Sequence, residues 1–210
     1  MTTLLKPIWV QQQLINHNLR IFTPFTFSRL FKTNPTITKY FLETQTHTEL
    51  FIRLKKGLYM LATNRAKIEE ISNVLYSPSY LSLEYALSHY NLIPEAIYSI
   101  TAITTKPTRE FTVDGIAFTY NTIKKTAFTG YSLIDKDNKP FLMADPEKAL
   151  VDYLYFVILE GKELNDRINI NYSKLDHTKA IYYASLFSLP ELDNLIKRVL
   201  SGSTNNDIIY

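Results

Sequence analysis

A chain of 210 residues suits one large or two small domains, and its 46% hydrophobic content supports a buried core. The absence of cysteine excludes disulfides and thiolate metal sites and fits a reducing cytosol. The net charge of +3 is uneven: residues 1–62 hold eight Lys/Arg against Glu43 and Glu49, net +6, while 63–210 hold 15 against 18 acids, net −3. Such asymmetry points to a polyanionic partner for the basic front end. Met1–Pro7 has no charged region leading into an apolar core, so no secretory signal is expected. The densest apolar run, Leu150–Leu159, is broken by Asp152 and is too short to span a bilayer. The expectation is a cytoplasmic chain without membrane contact.

In chain order, Val10–Leu19 reads as a first helix with Val10, Leu14 and Ile15 inward, ended before Pro24. Thr26–Lys32 follows with Phe27, Leu30 and Phe31 on one face. Thr33-Asn34-Pro35 is a turn, and Pro35 can occupy the first position of a helix over 35–46. That helix is expected to bury Ile37, Tyr40 and Phe41 and to expose Thr36, Thr38, Lys39 and Glu43. Phe51–Leu54 and Leu58–Leu61 read as paired strands around Lys55-Lys56-Gly57, where glycine supplies the positive φ of a tight turn. The order predicts a winged helix-turn-helix: a second helix laid in the major groove, supported by the first, with a cation-tipped hairpin beside it. Thr36, Thr38 and Lys39 would meet bases or phosphates, Arg29 and Lys32 the backbone, and Arg53, Lys55 and Lys56 phosphates or the minor groove.

Asn64–Tyr76 reads as a connecting helix with Ile68, Ile71, Val74 and Leu75 inward, and a helix beginning at Ser79 or Ser82 runs to Tyr90. From Tyr98 the period changes to that of strands. Tyr98–Thr105 alternates, and Arg109–Val113 and Ile116–Tyr120 flank Asp114-Gly115, the strongest hairpin signal in the chain. Gly130–Ile134 and Phe141–Ala144 form another hairpin. Helix returns at Asp145-Pro146-Glu147, an N-cap, a proline and a first-turn acid, followed by helices near Leu175–Leu186 and Pro190–Leu200. The tail from Ser201 reads as a frayed end or linker. The predicted class is α+β: a winged helix-turn-helix over 1–62, then a mixed α/β domain over 63–210 with antiparallel hairpins and C-terminal helices.

No catalytic motif emerges. His17, His47, His89 and His177 fall in no metal spacing, and the five glycines form neither a phosphate loop nor a nucleophile elbow. Asp145, Glu147 and Asp152 are the best catalytic candidates, but a helix start accounts for the first two and a neighbouring cation for the third. Tyr90, Tyr153 and Tyr183 sit at core-compatible helical positions, which favours packing over base stacking. The reading is not an enzyme and needs no cofactor.

Three motifs occur in order: Lys56-Gly57-Leu58-Tyr59; the stretch from Pro78-Ser79-Tyr80-Leu81-Ser82-Leu83-Glu84-Tyr85-Ala86-Leu87 through Glu95, which leads into Tyr98-Ser99-Ile100-Thr101 and Thr104–Phe111; and Asp145-Pro146-Glu147-Lys148-Ala149-Leu150-Val151-Asp152. Together, from about residue 25 to about residue 160, the chain resembles the AbiEi family, antitoxins of type IV (abortive infection, phage defence) toxin–antitoxin systems. The resemblance implies a winged helix-turn-helix that represses its own operon at inverted repeats in double-stranded operator DNA. It also implies a C-terminal domain that counters a nucleotidyltransferase-like toxin encoded beside it. A cationic face running over both domains is implied too, matched here by Lys106, Arg109, Lys124 and Lys125, which would serve DNA or toxin antagonism. The first 24 residues and the helix-turn-helix residues depart most from the family, and Asn91 stands where a glycine is usual; asparagine tolerates the left-handed cap. The alternative is a stand-alone winged-helix transcriptional regulator whose second domain senses a ligand or dimerises.

Overall fold

The computed structural model describes residues 5–94, 98–135, 139–161 and 175–201; Glu95 of the second motif and the tail beyond Ser201 lie outside them. The class is α+β, and the chain divides into two compact units, Met1–Ile71 and Ser72–Tyr210.

The first unit runs α1 (Pro7–Asn16), β1 (Ile21–Phe22), α2 (Pro24–Phe31), α3 (Pro35–His47), β2 (Phe51–Lys55) and β3 (Leu58–Leu61). Each helix opens on a proline, whose missing N–H is no loss in a first turn. Thr23 Oγ1 caps α2 by accepting the Thr26 N–H at 3.1 Å, and Asn34 Oδ1 caps α3 by accepting that of Ile37 at 2.8 Å. Helix α1 ends earlier than Leu19: Asn18 takes a left-handed φ of 50° and the Leu19 N–H returns to the Leu14 carbonyl, so Ile15 faces out. The two-residue strand β1, which has no sequence signal of its own, pairs with β3 and gives an antiparallel sheet ordered β1-β3-β2. Central in that sheet, β3 is buried along its whole length. Phe22, Phe27, Phe31, Phe41 and Phe51 fill the core with Val10, Leu14 and Leu42, and their ring centroids lie 4.4–6.3 Å apart.

The division between the units falls inside α4 (Ile68–Leu75), beyond the end of the β2–β3 hairpin. The residues after the hairpin belong to the first unit for two reasons. Ala66 is buried with its N–H on Met60 Sδ, and Arg20 is held by Glu70 at 2.9 Å, both side chains nearly buried. Val74, expected inward, is exposed.

The second unit is built on a six-stranded mixed sheet. Its strands are β4 (Ser79–Leu81), β5 (Ile100–Thr104), β6 (Arg109–Val113), β7 (Ile116–Thr122), β8 (Tyr131–Asp135) and β9 (Pro140–Ala144), in the order β6-β7-β5-β4-β9-β8. Pairs β5·β7 and β4·β9 are parallel, the rest antiparallel. The Asp114-Gly115 hairpin forms as expected, with φ of 49° and 78° at the two turn residues. Ser79–Leu81 corrects the helix start at Ser79: these residues are a central strand, and α5 spans Leu83–His89. The passage from β4 to α5 is abrupt. Leu83, buried and bulky, takes a left-handed φ of 58°, a conformation that costs a branched side chain about 1–2 kcal/mol. Thr101 braces it, donating to the Ser82 carbonyl at 2.7 Å and accepting the Tyr85 N–H at 3.2 Å. At the other end of α5, Asn91 adopts φ 54° and the Leu92 N–H reaches the Leu87 carbonyl, the cap that asparagine permits. Helix α6 (Pro146–Leu159) is buried for most of its length and packs against α5, α7 (His177–Ser185) and α8 (Pro190–Leu200).

Candidate nucleic-acid interface

Helix α3 turns a different side outward from the one its apolar spacing suggests. Ile37, Tyr40 and Phe41 form one i, i+3, i+4 set; Thr38, Phe41, Leu42 and Gln45 form another, rotated by about 100°. The structure buries the second. Leu42 then joins the phenylalanine core, and Thr38 can follow because its hydroxyl bonds that of Thr33 at 2.7 Å. Two expectations are corrected. Thr38 is 1% exposed and cannot reach a base edge, whereas Tyr40 is 73% exposed. The outward stripe is Thr36, Lys39, Tyr40, Glu43 and His47.

The hairpin beside it also departs from simple alternation. Period two from Phe51 would send Arg53 into the core. A register shift between Arg53 and Lys55 lets Phe51 and Leu54 both face inward and leaves Arg53 exposed. Lys56 is exposed at the tip, where Gly57 takes φ 77°, while Lys55 is half-buried on β2. On α2, Arg29 is exposed with its guanidinium 5.8 Å from the Phe25 ring centroid, and Lys32 is exposed at the left-handed C-cap. The first unit thus carries Arg29, Lys32, Lys39, Arg53 and Lys56 exposed, together with Tyr40 and Phe25, which sequence reasoning missed. The sequence signal that matches it is the second helical set, Thr38, Phe41, Leu42 and Gln45, whose burial leaves Tyr40 outward.

In the second unit the four expected cations gather at one end of the sheet. Lys106 and Lys124 each lie two residues beyond the ends of the parallel strands β5 and β7, and Arg109 begins β6. The turn is tied by Thr122 Oγ1 donating to the Lys106 carbonyl at 2.6 Å. Lys106 and Arg109 sit over the Tyr76 ring at 5.4 and 5.7 Å. Lys125 is exposed in a short 3-10 turn (Lys125–Ala127). The Lys124 ammonium donates to the Phe187 carbonyl and that of Lys106 to the Ser77 carbonyl at 2.5 Å, so neutral acceptors hold both cations in place.

The acids of α6 have structural engagements. Asp145 stands at the N-cap position, yet its side chain makes no capping bond; it accepts from the Tyr183 hydroxyl at 3.0 Å and pairs with Lys179 at 2.8 Å. Glu147 accepts the Asp176 N–H at 3.1 Å. Asp152 is fully buried with Lys148, its i−4 ion partner, and its other oxygen accepts from Tyr80 at 3.0 Å and Ser82 at 2.8 Å. Burial pushes the Asp152 carboxyl up and the Lys148 ammonium down, each partner's charge opposing that drift. Among the described residues no group of three or more His, Asp or Glu could hold a metal, and no helix is long and apolar enough to cross a membrane.

Three phenols of the second unit share a consequence. Desolvation raises Tyr80 well above the ordinary tyrosine range, and pushes Tyr120 and Tyr183 up to about 12. The folded chain keeps these protons while the unfolded chain loses them near pH 10, so their contribution is complete below pH 10 and lost as pH rises from 10 toward 12. Titrating the intact chain upward should therefore give a last step of tyrosinate absorbance, after that of the chain's other tyrosines, and this step should coincide with loss of circular dichroism. Ionisation of every tyrosine before the circular dichroism falls would contradict it.

A scan against protein-family models and a comparison with curated proteins both return no match to this chain.

Proposed function

We propose that this chain is a cytoplasmic DNA-binding antitoxin of a type IV toxin–antitoxin system, one that represses its own operon and counters a nucleotidyltransferase-like toxin. The first unit, on this reading, is a winged helix-turn-helix: α2 and α3 are the helix-turn-helix, β2–β3 is the wing, and β1 completes the three-stranded sheet. The observation that carries the reading is the grouping of Thr36 and Lys39 on the outer stripe of α3 with Arg53 and Lys56 exposed on the adjoining hairpin and Arg29 and Lys32 on α2. Cations in that disposition suit the two phosphate backbones flanking a major groove. Arg20, consumed by Glu70, does not contribute.

The antitoxin half of the reading is supported by the ordered resemblance to AbiEi proteins over the motifs at residues 56–59, 78–94 and 145–152, and by the cations at the end of the second sheet. Its test is co-expression of the intact chain with its neighbouring gene, scored by growth and by a promoter fusion. Growth rescue with promoter repression is expected, and Lys106→Glu with Arg109→Glu should weaken rescue, repression or both. Repression without rescue would make the chain a stand-alone winged-helix regulator. Rescue and repression both unaffected by the charge reversal would remove any role for that patch.

A further inference from the structure

Glu43 is anomalous on the outer face of α3. A carboxylate set among cations that face a polyanion weakens the general attraction to phosphate. Lys39, four residues earlier and of opposite sign, is exposed beside it, yet neither side chain makes an ion pair or hydrogen bond to a described residue. Tyr40 is anomalous in a second way: it lies 73% exposed next to Phe41 and Leu42, which are both buried. On a helix of 3.6 residues per turn, Thr36, Tyr40 and Glu43 share one narrow stripe, and residues 40 and 43 are about 4.5 Å apart along the axis. That spacing is close to the rise of about 3.4 Å between base pairs.

We propose that α3 reads two neighbouring base pairs directly, Glu43 accepting a hydrogen bond from the amino group of a cytosine and the Tyr40 ring packing on the methyl group of a thymine. The major groove presents both groups, and a carboxylate is the side chain that recognises the cytosine donor while rejecting the acceptors of guanine and thymine. The inference rests on the DNA-binding reading above and adds to it a half-site composition. Lys39 and the hairpin cations supply position and affinity; Tyr40 and Glu43 supply choice. The carboxylate then has a reason to stand where it repels phosphate, since it penalises duplexes that present a guanine or thymine acceptor in place of the cytosine amino group.

The test is selection of the intact chain on a randomised duplex library at fixed salt, followed by affinity measurements on the selected duplex. The native chain should select adjacent or next-adjacent cytosine and thymine positions. Glu43→Gln should lose roughly tenfold to a hundredfold of discrimination at the cytosine while binding unrelated duplexes as well as, or better than, the native chain. Replacing the selected thymine by uracil deletes only its methyl group. That should weaken native binding by about fourfold and leave Tyr40→Ala unchanged. Arg53→Ala serves as the control, lowering affinity for all duplexes without altering the motif. If the native chain selects a motif that Glu43→Gln and Tyr40→Ala select with equal discrimination, the inference is overturned and DNA binding stands. Binding without sequence preference also overturns it. Retention of no duplex even at low salt removes both this inference and the reading beneath it.

Discussion

Replacing Lys148 by methionine should cost the second unit about 3–5 kcal/mol, the largest stability loss expected of any single substitution here. Lys148 and Asp152 are both fully buried, one turn apart on α6, so each is compensated by the other and not by water. The lysine stem packs against Gly130, and its ammonium lies 4.8 Å from the Phe187 ring centroid and 5.8 Å from that of Tyr80. Removing the cation leaves a carboxylate whose remaining partners, Tyr80 and Ser82, are neutral. Denaturant unfolding of the intact chain would read the loss. Lys148→Met with Asp152→Asn should recover much of it, because no charge is then left to desolvate and the amide oxygen still accepts from Tyr80 and Ser82. The pH dependence has a definite sign. Without Lys148 the Asp152 carboxyl rises further above its unfolded value, so the folded variant binds a proton more tightly than the unfolded chain. The variant's deficit is therefore greatest at neutral pH and shrinks on acidification. A loss under about 1 kcal/mol, or a deficit that grows in acid, would mean the pair is not held as described.

Reversing Arg53 and Lys56 together to glutamate should lower affinity for duplex DNA by about a hundredfold or more at 0.1 M salt while leaving stability nearly unchanged. Both side chains are exposed, so their removal opens no cavity and strands no buried partner. Two lost phosphate contacts should also flatten the plot of log affinity against log salt, by a slope change of roughly 2. Lys55 is the less informative target, because it is half-buried on β2 and engaged within the protein. Electrophoretic shift and fluorescence anisotropy across a salt series measure the two effects. Affinity and slope both unchanged would detach the hairpin from DNA binding altogether.

Much of the local structure was legible because its signals are local. Asn34-Pro35 and Asp114-Gly115 place a helix start and a turn by capping and φ preferences that need no distant partner, and Pro146 opens α6 by its fixed φ. The β2–β3 hairpin around Gly57 and the α+β order followed from the same kind of signal. Charge asymmetry identified the basic first unit, since charge needs only counting. Two short strands and one backbone conformation were not legible. β1 and β4, of two and three residues, exist only because neighbouring strands supply their hydrogen bonds. Leu83 keeps its left-handed backbone because Thr101 clamps it from another strand.

The side chains of the candidate interface divide along the same line. Which residues are cationic, and that they cluster near a capped helix and a tight hairpin, is written in the order of amino acids. Which way each points is not. Two apolar sets in α3 were equally helical, and the phenylalanine core chose the one containing Leu42, burying Thr38 and releasing Tyr40. A shift of register in β2 turned Arg53 outward against strict alternation, and the Phe187 carbonyl captured the Lys124 ammonium from far along the chain. Composition and turn chemistry act over a few bonds and so survive in the sequence. Helix phase, strand register and the pairing of buried charges are settled by contacts between distant segments, and only the folded chain decides them.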